Sequence, residues 1–449
     1  MNTARIWFIF FYLSNTIVPV SSWSASNSPI NITPKSSIKS NRQHQQTQHD
    51  LNTYKVQPTP ANNSKYDKFI MTRNGFTNRL ALAFLATASV MTSVASFKPT
   101  PAFAFMPAGA SPSDSATATA AATVAYRELK IGLPQFNIDV PVAMWFKAEE
   151  DDETSATQTT QTQKQNSVVY SHRISVKRIG TLLAGMTFIP EFVAKDFQLG
   201  PTTSANTISG ESLPFPKDKP VVLLAHGFLG SRFDLSHLAE ALAQQGFVCF
   251  SPEYPESLAS SYTKMEGLDR RIINDRLLDV IQSDMGIKTK SYGIVGHSLG
   301  CGTATTTGDD SWTRVCIAGP PVRRDGVRVG GNTLAITSLN DGLVTMSRLE
   351  SMIPSDFVRL QEANLTRGGS LPSRAVLIFD RPDAPNHISF LAGNVNDSMV
   401  SFLSPLLPVA QVLGIPVLDF DKYQESRDSV ATADVVIPLV SSYLKQYMM

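Results

Sequence analysis

From residue 220 onward, short apolar runs recur along this chain, and polar or amphipathic segments separate them. Continuous apolar runs of this length are typical of strands that are buried on both faces of a parallel sheet. Between the runs, residues 235–245 and 267–285 carry apolar residues at helical spacing. Strands that alternate with helices predict an α/β fold, a mostly parallel, doubly wound sheet with helices on both faces. The predicted strands are residues 220–225, 247–250, 291–295, 314–318, 333–337 and 375–379.

Upstream of this pattern, residues 126–131 and 140–146 are two further apolar segments, which predict the first strands of the sheet. Residues 105–125 are rich in small residues and predict a linker. Residues 149–166 are polar and of low complexity, which predicts an exposed loop insertion. A final helix is expected near residues 431–447. No internal repeat is visible in the sequence.

Residues 1–104 have the composition of a targeting leader. Arg5 precedes an apolar run of the kind found in signal peptides, and residues 24–72 are polar, basic and nearly free of acids, as in transit peptides. A second apolar run follows at residues 80–94. This order resembles the leaders of proteins sent into plastids with additional bounding membranes, so we expect a plastid location, with the thylakoid lumen as a further possible destination, and a folded domain over residues 126–449. The alternative is a secreted protein, or one anchored in a membrane by residues 80–94.

The charge of the chain is unevenly distributed. The whole sequence has a formal charge of +1, but residues 1–104 contain ten Lys or Arg and two Asp, a surplus of +8. The remainder carries 29 basic and 36 acidic residues. A basic leader on an acidic body favours targeting and argues against a nucleic-acid partner.

Few residues offer metal or disulfide chemistry. The only cysteines are Cys249, Cys301 and Cys316, and each lies in or beside an apolar run, which predicts buried free thiols. The sequence has no C-x-x-C and no H-E-x-x-H motif, so neither a metal nor another cofactor is expected.

Residues 296–300 read Gly-His-Ser-Leu-Gly, directly after the predicted strand 291–295 and before a run of small residues able to begin a helix. A G-x-S-x-G sequence between a strand and a helix is the nucleophile elbow, a sharp turn that leaves the serine hydroxyl exposed. The N-terminus of the helix adds a field that favours developing negative charge. Ser298 is therefore the candidate nucleophile.

A serine nucleophile needs a base and a carboxylate that orients the base, and in elbow folds the chain order is Ser, acid, His. Of seven histidines, only His387 lies beyond Ser298, and it follows the predicted strand 375–379. Asp341 ends another predicted strand in an Asn-Asp-Gly turn that can aim its carboxylate across the edge of the sheet. His387 and Asp341 are the candidate base and acid, and the weaker rivals for the acid are Asp325, Asp380 and Asp383.

The tetrahedral intermediate of acyl transfer needs two backbone N–H donors. The expected donors are Leu299, the residue after the nucleophile, and Phe228, in the loop after the first buried strand. Gly227 would give the substrate room to approach that loop. His226 and His297 are expected to pack and to form hydrogen bonds, not to act as bases.

Taken together, these motifs resemble the α/β-hydrolase superfamily. Within it, residues 126 to about 390 are similar to the platelet-activating-factor acetylhydrolases and the dienelactone-hydrolase-like esterases. The resemblance extends to the segments 126–129, 142–145, 226–232, 245–248 and 269–271. It implies an α/β-hydrolase fold and a metal-free esterase with Ser298 as nucleophile, Asp341 as acid and His387 as base.

The expected function is hydrolysis of carboxylic esters through an acyl-enzyme, on lipid esters with short or oxidised acyl chains. A chlorophyllase-like plastid esterase and an acyltransferase are the enzymatic alternatives, and a non-catalytic binding protein on the same scaffold is the alternative of another class. Residues 395–420 contain an apolar, proline-containing segment that we interpret either as a cap on the acyl pocket or contact with a lipid surface, or as ordinary core packing.

Overall fold

The computed structural model describes residues 123–148, 168–175, 177–178, 197–204, 207–259, 261–262, 264–322, 329–344, 350–367, 369–393, 395, 397 and 426–449. The predicted leader, the loop insertion at 149–166 and nearly all of the 395–420 segment lie outside these residues. So does most of the predicted linker. No helix among the described residues is both long enough and apolar enough to span a bilayer.

The described strands alternate with helices through the centre of the domain, as the apolar pattern predicts. The strands are β1 (Val124–Leu133), β2 (Ile138–Lys147), β3 (Val168–Ile174), β4 (Phe197–Ser204), β5 (Thr207–Ser209), β6 (Val221–Ala225), β7 (Val248–Pro252), β8 (Tyr292–His297), β9 (Thr313–Ile317), β10 (Thr333–Ser338), β11 (Val358–Leu360) and β12 (Arg374–Phe379). The α-helices are α1 (Ser236–Gln244), α2 (Arg270–Asp279), α3 (Leu299–Thr306) and α4 (Ser429–Met448). Short 3₁₀ turns occupy Pro134–Phe136 and Glu362–Arg367.

Ten of these strands form one sheet in the order β11-β12-β10-β9-β8-β6-β7-β2-β1-β5. The pairs from β7 to β11 are parallel, and β2 is antiparallel to both of its neighbours, β1 and β7. β3 and β4 form a separate antiparallel hairpin. This strand order, with the elbow after the central strand β8, confirms the predicted α/β-hydrolase fold.

Helices cover both faces of the sheet, which explains why its central strands are apolar throughout. α1 and α4 pack on one face, where Leu242 and Leu444 join a core cluster with Trp145 of β2. α2 and α3 pack on the other face, where Leu277 and Ala304 join a second cluster. All five residues of β6 and all five of β7 are buried between the two layers. The three cysteines are buried and free, as predicted.

The structure departs from the sequence-based expectation at several places. The β3–β4 pair and the strands β5 and β11 were not predicted, and β5 and β11 are only three residues long each. The helix predicted over 267–285 ends as an α-helix at Asp279 and continues as a π-helical turn, Val280–Asp284. α3 begins at Leu299, directly after the candidate nucleophile, and not at the small residues that follow it.

Candidate active site

Ser298 lies in the turn between β8 and α3, at the carboxyl end of the central strand. Its backbone has φ 55° and ψ −116°, a conformation that L-residues rarely adopt. Such a conformation costs about 1–3 kcal/mol and persists only where the surroundings impose it. Here the Ser298 N–H donates to Ile317 O of β9 at 2.8 Å, and the Ser298 carbonyl accepts from Cys301 N at 3.0 Å. Ser298 itself is half-buried.

The two glycines of the elbow are required by close backbone approach. A Cβ atom on Gly296 would overlap the carbonyl oxygen of Gly300, and one on Gly300 would overlap the carbonyl oxygen of Ala225. The strand and helix therefore cross closely enough to support the serine turn only because neither position has a side chain. These two close approaches explain why the G-x-S-x-G pattern has glycine at both positions.

Asp341 and His387 lie side by side in the loops after β10 and β12. His387 Nδ1 is 2.9 Å from Asp341 Oδ2 and 3.0 Å from Oδ1, and the His387 N–H donates to the Asp341 carbonyl at 2.9 Å. The carboxylate also accepts from the N–H groups of Leu343 at 3.1 Å and Val344 at 2.7 Å. Both side chains are buried. A carboxylate held in this way fixes the imidazole with its Nδ1 protonated, which leaves Nε2 to accept a proton.

His297 connects the His387 loop to the elbow. Its ring centroid is 4.9 Å from that of His387, and its Nε2 donates to the His387 carbonyl at 2.9 Å. Burial, together with the neighbouring His387, lowers the pKa of His297 to about 3, so its ring stays neutral at physiological pH. The residue before the nucleophile thus holds the loop that carries the candidate base.

The rival acids do not share this arrangement. Asp380 is exposed and pairs with Arg359 at 3.4 Å, and Asp383 is exposed and pairs with Arg427 at 3.4 Å. Asp325 lies outside the described residues. Of the described candidates, Asp341 alone contacts His387 through its side chain.

The loop after β6 lies against the elbow. A Cβ atom on Gly227 would be 3.3 Å from Ser298 Cβ and 3.1 Å from His297 Nδ1. Phe228 follows, with its side chain 48% exposed, and Leu229 has φ 64°. Leu299 is the first residue of α3, so its N–H has no partner within the helix. The loop that carries Gly227 and Phe228 therefore lies beside the Ser298 turn, and the assignment of the Phe228 and Leu299 amides as oxyanion donors stays a prediction.

His226 is a structural residue of this loop. Its Nε2 accepts from Tyr254 N at 3.1 Å, which leaves Nδ1 to donate to the Gly227 carbonyl at 2.8 Å. Burial and the nearby Arg270 guanidinium lower the pKa of His226 well below the usual range. A neutral ring with both nitrogens engaged has no capacity to act as a general base.

Sequence reasoning assigned no role to Arg270, the first residue of α2. Its buried guanidinium donates to the carbonyls of His226 at 2.7 Å and Gly227 at 3.2 Å. A signal was present in the sequence, since Asp269-Arg270-Arg271 places two cations at the start of a predicted helix, where the helix dipole disfavours positive charge.

A second buried carboxylate lies at the far end of the same loop. Asp234 accepts from the backbone N–H of Ser231 at 3.0 Å and from its hydroxyl at 3.1 Å, while its carbonyl accepts from Ala392 N at 2.9 Å. Burial raises the pKa of Asp234 to about 7. Asp234 therefore connects the loop of residues 226–234, which carries the predicted oxyanion donor Phe228 and is called the oxyanion loop below, to the segment that follows His387.

Within the described part of the chain, no three His, Cys, Asp or Glu side chains are grouped in a way that could hold a metal ion.

No protein-family model matches this chain, and no curated protein matches it. Among solved structures, it is similar to a ferulic acid esterase from Streptomyces cinnamoneus, with 15% identity and a TM-score of 0.39 over 74% of this chain and 92% of that one. It is also similar to a dienelactone hydrolase from Anabaena variabilis, with 14% identity and a TM-score of 0.31 over 63% and 97% of the two chains. A dienelactone hydrolase-like promiscuous phosphotriesterase from metagenomic libraries has 11% identity and a TM-score of 0.34 over 64% and 98%. The α/β-hydrolase fold of this protein rests on its own strand order and elbow.

Proposed function

We propose that this protein is a serine carboxylic ester hydrolase. The observation that carries the proposal is the buried Asp341–His387 pair, held by backbone hydrogen bonds at the same sheet edge as the strained Ser298 turn. Side chains of these three types, in this chain order and at this edge, are what acyl transfer to a serine hydroxyl requires.

In the proposed reaction, Ser298 Oγ attacks the ester carbonyl carbon while its proton passes to His387 Nε2. Asp341 stabilises the imidazolium that forms. The carbonyl oxygen becomes an oxyanion, which accepts hydrogen bonds from the N–H groups of Phe228 and Leu299. When the carbonyl re-forms, the C–O bond to the alcohol breaks, and the alcohol oxygen takes the proton from His387. The acyl group is left on Ser298.

The second half of the reaction repeats these roles with water. His387 Nε2 takes a proton from a water molecule, whose oxygen attacks the acyl carbon. The resulting oxyanion is held by the same two amides. Collapse breaks the bond to Ser298 Oγ, which regains its proton from His387, and the carboxylic acid leaves.

The proposed substrates are lipid esters with short or oxidised acyl chains. Support comes from three exposed apolar side chains in the loops that carry the candidate site: Phe228 beside Gly227, and Leu339 and Leu343 on either side of Asp341. Exposed apolar residues around a catalytic centre suit an acyl chain, and they also suit contact with a membrane surface.

The test is hydrolysis of an ester series from acetyl to palmitoyl by the protein and by Ser298→Ala. We expect turnover that is highest on short chains and that falls to background in the variant. Asp380→Asn, at an exposed acid in the loop after β12, is the matched control and should retain full activity. Activity only on chlorophyll-type esters would replace the lipid substrate class. If Ser298 is unlabelled by a fluorophosphonate in folded protein and no ester is hydrolysed, the proposal is wrong and a binding function is favoured.

The proposed location is the plastid. It rests on the composition of residues 1–104 alone. A fluorescent protein fused behind these residues should accumulate in plastids, and a fusion that is secreted or retained at the cell surface would contradict the location without bearing on the chemistry.

A further inference from the structure

Arg270 is an arginine in an unfavourable position. It is the first residue of α2, after the N-cap Asp269, and only 8% of it is exposed. Positive charge at a helix N-terminus is destabilising. A guanidinium that is taken out of water also loses several kcal/mol of hydration, and this cost is repaid only if its N–H donors find acceptors in the protein. A residue that is costly on both counts needs a compensating set of contacts.

Those contacts lead to the oxyanion loop. Nη1 donates to the His226 carbonyl at 2.7 Å and Nη2 to the Gly227 carbonyl at 3.2 Å. The acid partner, Glu256, accepts only from Nε, at 3.2 Å. The guanidinium also lies over the Tyr254 ring, 4.4 Å from its centroid. Two of its three nitrogens are thus used on the carbonyls of two successive peptide groups, the second of which is the Gly227–Phe228 peptide.

That peptide group joins Gly227 to Phe228, and its N–H is one of the two proposed oxyanion donors. A trans peptide is planar, with its C=O and N–H pointing in opposite directions. The Gly227 carbonyl accepts from Arg270 Nη2 at 3.2 Å and also from His226 Nδ1 at 2.8 Å. Holding the carbonyl in this direction fixes the Phe228 N–H in the opposite direction. A cation beside the carbonyl also polarises the peptide, which makes its N–H a stronger donor.

Arg270 reaches the second donor through α3. Its Nη1 donates to Thr303 Oγ1 at 3.3 Å, and Thr303 lies one helical turn after Leu299, whose N–H is the other proposed donor. One buried side chain therefore contacts both elements that carry the oxyanion amides.

We propose that Arg270 is a positioning residue for the oxyanion hole: it orients the Gly227–Phe228 peptide and fixes its separation from the start of α3. This inference rests on the proposed ester hydrolase function. Arg270 would thereby contribute to transition-state stabilisation by positioning the oxyanion donors, a role that Ser298, His387 and Asp341 do not fill.

The test compares Arg270→Met and Arg270→Lys with Arg271→Met. Arg271 is the next residue on the same helix, its side chain is exposed, and its ion pair with Asp275 is a surface pair, so this control should keep the activity of the parent.

Loss of one oxyanion donor typically costs 10²- to 10³-fold in kcat. Misorientation of the peptide should therefore lower kcat about 10- to 100-fold in Arg270→Met, with KM within about twofold and the pH profile unshifted, since His387 and Asp341 are untouched. Lysine can reach only one of the two carbonyls, so Arg270→Lys should fall between the parent and Arg270→Met.

A trifluoromethyl ketone separates positioning from simple loss of structure, because its adduct with serine carries an oxyanion. The affinity for this ketone should fall in the same proportion as kcat/KM in Arg270→Met and Arg270→Lys, and it should stay at the parent value in Arg271→Met. Activities are expressed per active site, counted by fluorophosphonate titration. If Arg270→Met does not fold, Thr303→Val removes only the bond to α3 and should lower kcat a few-fold. The proposal is overturned if kcat per titrated site stays within twofold of the parent, or if ketone affinity is unchanged. A parent without Ser298-dependent turnover would overturn the proposed function as well, whereas an active parent indifferent to Arg270 and Thr303 would overturn this inference alone.

Discussion

Two loops flank Ser298, and they are stabilised in different ways. On the base side, one carboxylate contacts one imidazole, and the carboxylate is held by backbone N–H groups of Leu343 and Val344. On the proposed oxyanion side, the loop from His226 to Asp234 is held by the buried Arg270, which donates to its carbonyls, and by the Asp234 side chain, which accepts from Ser231. The base side therefore depends on a single pair of side chains, whereas the oxyanion side depends on a network in which each member has a smaller effect.

The largest expected effect is on the base side. Asp341→Asn keeps the size of the side chain but removes the charge that stabilises the imidazolium and selects the Nδ1-protonated ring. We expect kcat to fall about 10⁴-fold, as loss of the corresponding acid does in a Ser-His-Asp triad. Steady-state kinetics on a short-chain ester measure this.

Asp383→Asn is the matched control for this prediction, since Asp383 lies in the same loop as His387 and its exposed carboxylate pairs with Arg427 at 3.4 Å. Its activity should stay within about twofold of the parent. Equal losses in the two variants would mean that Asp341 is not the acid of a triad.

The stability of the oxyanion side should depend on pH through Asp234. Its folded-state pKa is raised to about 7 from 3.8 by burial, so the folded protein binds a proton that the unfolded chain releases above about pH 4. Stability from this group is therefore present at low pH and is lost as pH rises from about 4 to 7, by up to ~1.4 kcal/mol per pH unit.

Asp234→Asn should remove this loss. The asparagine side chain can still accept from Ser231, so the loop should fold as before. We expect the free energy of unfolding of the variant, measured by urea denaturation, to rise relative to the parent as the pH increases from 4 to 7. A difference between the two proteins that is constant over this range would contradict the assignment.

The two sides also differ in how far the sequence predicts them, because the base side follows from local patterns and the oxyanion side from contacts between distant residues. The strands β6 to β10 and β12 follow from apolar runs, because a parallel strand covered by helices on both faces must be apolar throughout. The elbow follows from Gly296 and Gly300, which have no room for a side chain. His387 follows from its being the only histidine beyond Ser298 and from its place after a predicted strand.

The oxyanion side was less accessible from sequence. Arg270 is 43 residues from Gly227 along the chain, and no local pattern announces that its guanidinium turns back onto that carbonyl. The β3–β4 pair was also missed, because the two strands are separated along the chain by residues 175–196 and pair with each other outside the ten-stranded sheet. Contacts of this kind are set by tertiary packing, and the sequence offered only the misplaced charge at the start of α2 as an indication.

The smallest expected effect is at His297, which lies between the two sides. Its Nε2 donates to the His387 carbonyl at 2.9 Å, so His297→Phe keeps a ring in place but removes one hydrogen bond from the base loop. A hydrogen bond of this kind contributes about 0.5–1.5 kcal/mol, which corresponds to a loss of roughly two- to tenfold in kcat if the bond positions the base. The pH profile of kcat should keep its midpoint, because the His297 ring is neutral throughout the working range.

The same variant gives a stability test of opposite sign to that of Asp234. Burial lowers the pKa of His297 to about 3, so below about pH 6.5 the unfolded chain binds a proton that the folded protein does not. Stability from this group is present above pH 6.5 and is lost as pH falls towards 3.

In the parent, the contributions of His297 and Asp234 to the slope of unfolding free energy against pH oppose each other between about pH 4 and 6.5. Relative to the parent, His297→Phe should therefore lose less stability as pH falls through this window, whereas Asp234→Asn should lose more. Urea denaturation of the parent and the two variants at pH 4.5 and 6.5 measures these changes in slope, and changes of the same sign would mean that at least one of these buried groups does not titrate as its surroundings require.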